Sequence, residues 1–174
     1  SPRPRPPRSE RPTYAVYEEI QSSIDAMYGT RPDMKAMHFM AADEPEECRL
    51  VLEQTFTYAY LFMYSKLPAY RRWVLAQDLR PQYEYYANAL KLIGANQPDT
   101  TWLLKCPHHS LHVEHLLRVF PDARIILTHR DPQDVVASTC HLAATFVSMF
   151  EDDNYDRQRM GKRFVSELDA QLRS

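Results

Sequence analysis

Two short stretches of the chain concentrate side chains that can hold an anion or move a proton. The first carries Lys105, His108 and His109, the second His129, Arg130 and Asp131. Lysine offers a compact positive charge, and arginine a planar fork that grips phosphate through two parallel hydrogen bonds. Neutral imidazole accepts a proton near pH 7. Arg130 precedes Asp131 and Pro132, a capping residue and a first-turn proline, which places it at a helix start. Free N–H groups and the helix dipole favour phosphate there. Ser138, two turns further on, can add a hydroxyl to the same anion. The plainer alternative pairs Arg130 with Asp131 or Asp134 and leaves Ser138 in water.

These residues need elements to hold them. Residues 101–106 (TWLLKC) form a short apolar run closed by Pro107, and 124–129 (RIILTH) form another; both predict buried strands. Between them, 110–120 predict a helix with Val113, Leu116, Leu117 and Phe120 on one face. A second helix is expected from Pro132 to about Phe150, with Val135, Thr139, Leu142, Phe146 and Met149 on its stripe. Strand, helix, strand, helix implies a parallel pair with a right-handed crossover. Open parallel sheets bind ligands outside the carboxyl ends of their strands, where both charged stretches fall.

Upstream the pattern is helical: 13–28 with Val16, Ile20, Ile24 and Met27 aligned and Gly29 at the end, then 45–65, 69–77, and 81–93 closed by Gly94. Tyr58, Tyr60, Phe62, Tyr64, Tyr70, Trp73, Tyr83, Tyr85 and Tyr86 make a dense aromatic set that serves either as helix-packing core or as the wall of an acceptor pocket. The tail is expected to be helical from Arg157. The expected architecture is α/β in three layers, a short parallel sheet flanked by helices. Residues 1–12, with four arginines and five prolines, read as an extended lead-in. Residues 13–174 read as one domain, helical over 13–95 and βαβα over 101–150.

Composition narrows the function classes. The chain has 174 residues, 44% hydrophobic and 25% charged, which suits a globular domain. A net charge of −2 supplies no field to recruit nucleic acid. No apolar run approaches the roughly 20 residues that span a bilayer, and no leader pattern opens the sequence. Cys48, Cys106 and Cys140 lack CxxC spacing, which favours a reducing, cytoplasmic setting. There are only 3 glycines against 13 prolines, and neither GxxxxGK[ST] nor GxGxxG occurs, so the usual phosphate loop is missing. His108, His112 and His115 fall at spacings of four and three, as zinc ligands can. No carboxylate or cysteine clearly completes that set, and no metal is expected. Cys106 beside Lys105 could be a nucleophile, but a small packing residue is favoured.

The stretch WLLKCPHHSLHVEHLLRVFPDARIILTHRDPQDVVAS resembles the sulfotransferases that use 3′-phosphoadenosine 5′-phosphosulfate (PAPS), in their bacterial-type branch. The likeness rests on Trp102, Leu104, Lys105, Pro107 and His108, on the turn from Phe120 to Ala123, on His129 to Pro132, and on Ser138 eight residues after Arg130. It extends more loosely over HFMAADEPEEC from His38, over Tyr70 and Trp73, and over Pro81 to Tyr83. The resemblance implies a P-loop-like sulfotransferase fold, with PAPS as co-substrate and a hydroxyl or amine as acceptor. It implies that Arg130 and Ser138 hold the 3′-phosphate, and that Lys105 and His108 line the transfer site. His108 is the expected base and Lys105 the expected cation, with His109 a rival base and His38 facing a small, aromatic or lipid-like acceptor. The family's first strand and phosphosulfate-binding loop find no match here, so the chain reads as the middle of the domain. The alternative is a non-catalytic binding module on a degenerate sulfotransferase domain.

Overall fold

A computed structural model describes residues 15–58, 67–96, 99, 101–150 and 156–172. The described residues fall into two compact units, one within Ser1–Glu46 and Gln97–Trp102, the other within Glu47–Asn96 and Leu103–Ser174. The first unit holds α1 (Ala15–Thr30) and α2 (Pro32–Met37), with Pro32 in the first turn of α2. The Tyr28 hydroxyl donates to the His38 carbonyl at 2.9 Å and accepts from the Met40 amide at 2.6 Å. That clasp fixes the chain beyond α2, whose Met34 is fully buried. Gly29, expected as the helix end, lies inside α1 instead.

The second unit begins with α3 (Arg49–Leu52) and a 3-10 turn over Glu53–Thr55. Phe56 ends the turn with φ of 55°, the left-handed region that bulky side chains seldom adopt. The helix expected over 45–65 therefore starts later and stops there; its remainder from 59 lies outside the described residues. Next come α4 (Pro68–Leu75) and α5 (Arg80–Ile93), both opened by proline in the first turn. The helix expected over 110–120 is two pieces, α6 (His108–Leu111) and α7 (Val113–Val119), broken where His112 adopts φ of −137°. The final pair is α8 (Pro132–Phe150) and α9 (Arg157–Leu172).

The main core lies on α5. Leu79, Tyr83, Tyr86 and Leu90 recur at helical spacing, and they pack with Cys48, Leu52, Tyr58 and Cys106. Val119 and Phe120 close over the same cluster from the α7 side. Truncating a fully buried side chain such as Leu52 costs about 2–5 kcal/mol, far more than any exposed ion pair contributes. A second, smaller cluster joins α8 to α9 through Ala143, Val147 and Phe164, with Cys140 and Ala144 beside them. Its face on α8 is Cys140, Ala143, Ala144 and Val147, one step round the helix from the bulky stripe the sequence suggests. Small residues let the two helices approach closely, so packing follows the alanines.

The expected α/β architecture is not what the described residues form. They contain no strand, and 101–106 and 124–129 run without regular structure. Leu103 is 93% exposed and Ile126 85%, where burial between layers was expected. The physical reason is that a strand is not a local structure. Its backbone groups must pair with a neighbouring strand, and its apolar faces must be covered by other elements. An apolar run states a demand for burial without supplying the partner that meets it.

Candidate active site

His108 is fully enclosed within the second unit. It opens α6, where Pro107 pre-sets the turn and the His109 amide bonds back to the Cys106 carbonyl at 3.1 Å. Its side chain is wholly buried. The Tyr58 ring lies 4.8 Å away, centroid to centroid, and the His112 ring 4.5 Å away. Nε2 of His108 meets Oε1 of Gln82, from α5, at 3.0 Å. His109, next along, places Nδ1 3.2 Å from the Tyr83 hydroxyl, with the Tyr86 ring 5.8 Å away. At the far end His115 faces Asp78 at 3.4 Å.

This arrangement keeps the rings neutral. Burial, then the neighbouring His112 and His109 rings, pushes the pKa of His108 down to about 2. Burial, then His115 and His109, pushes His112 down to about 4, and burial alone lowers His109. Burial also raises the Cys106 thiol to about 11, against a hydrogen bond from Tyr58 that works the other way. A protonated, buried thiol 3.6 Å from the Tyr58 hydroxyl is a packing residue rather than a nucleophile. Among the described residues, no three His, Cys, Asp or Glu side chains converge as metal ligands would. The His108, His112 and His115 rings stack along α6 and α7 instead of pointing at one centre.

Lys105 sits three residues before His108 but on the outside. Its carbonyl accepts from the Cys48 amide at 3.0 Å, which ties the segment to the start of α3. Its ammonium pairs with Glu47 while its side chain stays 71% exposed. Lys105, His108 and His109 are thus brought together against α3 and α5. Arg130 and Ser138 lie elsewhere, both exposed, before and on α8, which packs on α9. Asp131 caps α8, its carboxylate accepting the Gln133 amide at 2.8 Å. One free N–H of that helix start is thereby satisfied. A guanidinium and a hydroxyl, both open to solvent, suit a phosphate group.

His38 belongs to the first unit, where Nε2 lies 3.0 Å from Oε1 of Glu46. Three residues that shape the site were not singled out from sequence: Gln82, Thr55 and Glu47. Gln82 left a signal. It occupies the buried stripe of α5, four residues before Tyr86 and eight before Leu90, and a polar side chain at a core position demands a partner. Glu47 left none beyond its charge.

Comparison with known proteins bears on this geometry. The family profile described as the sulfotransferase family matches residues 1–173. No curated protein matches the chain. Among solved structures, the crystal structure of sulfotransferase STF1 from Mycobacterium tuberculosis H37Rv (type1 form) superposes with a TM-score of 0.79 at 30% sequence identity. The match covers 99% of this chain and 47% of that one, so this chain spans about half the length of its structural relative. No described helix is long and apolar enough to cross a membrane. A profile match over nearly every residue means that the chain belongs to the sulfotransferase family.

Proposed function

We propose that this chain carries the acceptor side and the 3′-phosphate side of a sulfuryl transfer from PAPS to a hydroxyl or amine. The observation that carries the reading is the family match over the stretch in which His108, at the start of α6, follows three residues after the exposed Lys105. A base must be neutral before it can accept a proton, and burial keeps His108 neutral; the same burial weakens it as a base, so the role requires that the bound acceptor and the charge of the transfer raise its pKa. In the reaction the acceptor O–H bond breaks and its proton passes to His108. The acceptor oxygen forms its bond to sulfur as the bond from sulfur to the 5′-phosphate oxygen breaks. The electron pair of that bond leaves with 3′-phosphoadenosine 5′-phosphate. Lys105 neutralises charge on the group in transit. Arg130 and Ser138 hold the 3′-phosphate.

Around the base, His109 and His112 each bury an Nε2 atom that has no hydrogen-bond partner among the described residues. Leaving such a group unpaired costs about 1–3 kcal/mol. A polar atom of the acceptor would satisfy one of them, which supports His109 as an acceptor contact. The nearby Tyr58 and Tyr86 rings suit an acceptor with an aromatic or lipid-like body.

A second reading, a non-catalytic binding module, is favoured by one observation, the complete burial of His108. Transfer of label from sulfur-labelled PAPS to a panel of phenols, amines and lipid alcohols separates the two. The enzymatic reading expects a labelled product, and a rate at least about a hundredfold lower in His108→Ala with binding of the nucleotide product kept. A rate that His108→Ala leaves unchanged removes His108 from the reaction.

A further inference from the structure

The hydrogen bonds around Gln82 fix which nitrogen of His108 can accept a proton. The reasoning starts at the Leu52 carbonyl, which can only accept. The Thr55 hydroxyl has one hydrogen, which goes to that carbonyl at 2.7 Å or to the Thr57 hydroxyl at 2.8 Å. The oxygen of Thr55 must therefore accept from Gln82, 3.2 Å away, so the NH2 end of the Gln82 amide faces Thr55. The same NH2 group lies 3.5 Å from the Leu52 carbonyl, a second acceptor. With its nitrogen committed there, Gln82 turns its carbonyl oxygen to His108, and the 3.0 Å contact requires a hydrogen on Nε2 of the ring. Nδ1 is then the unprotonated nitrogen. The orientation of Gln82 is set by two acceptors on the side of its nitrogen, the Leu52 carbonyl and the Thr55 oxygen.

We propose that Gln82, oriented by Thr55, is a positioning residue that locks His108 as the Nε2–H tautomer and so makes Nδ1 the atom that accepts the acceptor's proton. The proposal rests on the reading of His108 as the base. Gln82 is 2% exposed, so the relay is shielded from water that would otherwise scramble it. A side chain from α5, a hydroxyl from the turn after α3 and a ring from α6 meet in it, which places the tautomer under the control of the tertiary fold.

The test uses the chain labelled with nitrogen-15 histidine, observed at pH 8 through long-range proton–nitrogen correlations of the rings. The wild type should show one His108 form, with Nε2 protonated and Nδ1 at the position of an unprotonated nitrogen. An Nδ1-protonated ring, or an even mixture, would overturn the proposal. Gln82→Met keeps the volume and removes the acceptor, and should yield a mixture of tautomers. Gln82→Glu keeps an oxygen opposite Nε2 and should restore the single form, with the ring's pKa moved upward. In transfer assays Gln82→Met should lower kcat about tenfold or more with KM for PAPS unchanged. A Gln82→Met variant that retains the wild-type tautomer also refutes the lock, and should either variant not fold, the wild-type spectrum decides alone. A locked ring combined with undiminished transfer in His108→Ala would preserve the lock and overturn the base assignment, so the two failures are distinct.

Discussion

Between Lys105 and His112 the Lys105, Cys106, His108, His109 and His112 side chains are each tied to another element, whereas from Arg124 to Arg130 every residue is exposed. His108, His109 and His112 each stack on a neighbouring ring, and Gln82 and Tyr83 hold two of them by hydrogen bonds. Arg130 has the cap of α8 beside it and water around it. The contrast fits the two tasks proposed for these regions. A proton acceptor has to present one nitrogen in one orientation, which packing and a fixed tautomer supply. An anion site exchanges hydration for a ligand, which exposed guanidinium and hydroxyl groups can do with little rearrangement.

If the first region owes its character to burial, acid should damage it first. In the folded chain His108 and His112 stay neutral down to about 2 and about 4, whereas an unfolded histidine protonates near 6.5. Between those values the unfolded chain binds more protons. Stability is therefore full above pH 6.5 and is lost as pH falls through that value toward 4 and then 2. Each ring should account for about 2 kcal/mol lost between pH 8 and pH 5. Urea unfolding at the two pH values measures the loss, and His112→Gln should remove its share. Equal stability at both values would show that the rings are not excluded from water.

A smaller effect is expected at the edge of the packed region. Lys105 is held by Glu47 but is largely exposed, so Glu47→Gln should change unfolding free energy by less than about 1 kcal/mol. The same change removes a competing negative charge, so it should tighten binding of 3′-phosphoadenosine 5′-phosphate. Tighter binding with unchanged stability assigns Lys105 to the anion side of the comparison. A large loss of stability assigns it to the core.

What could be read from sequence divides along the same lines. Local punctuation was legible. Pro81 near the start and Gly94 just past the end bracket α5, and Asp131 with Pro132 opens α8, because caps and first-turn prolines act within a few residues. The strand assignments at 101–106 and 124–129 failed because pairing is decided far along the chain. The helix proposed over 45–65 failed at Phe56, whose left-handed backbone no propensity announces. On α8 the bulky stripe misled, since Ala143 and Ala144 set the closer contact. The motif residues at Lys105, His108, Arg130 and Ser138 stood out by type and spacing, and the family match bears on the whole stretch that holds them. Gln82 was hidden because its role comes from three elements meeting, and only its place on an apolar stripe hinted at it.

The central claim is that the exposed end of α8 receives the 3′-phosphate of the nucleotide. Calorimetric titration of the chain with 3′-phosphoadenosine 5′-phosphate, beside the same titration of Arg130→Ala, tests it directly. The account predicts binding to the wild type that weakens at least about tenfold in the variant, the loss of one charged hydrogen-bond partner. Equal affinity in the two proteins, or no binding by a folded wild-type chain, would contradict it.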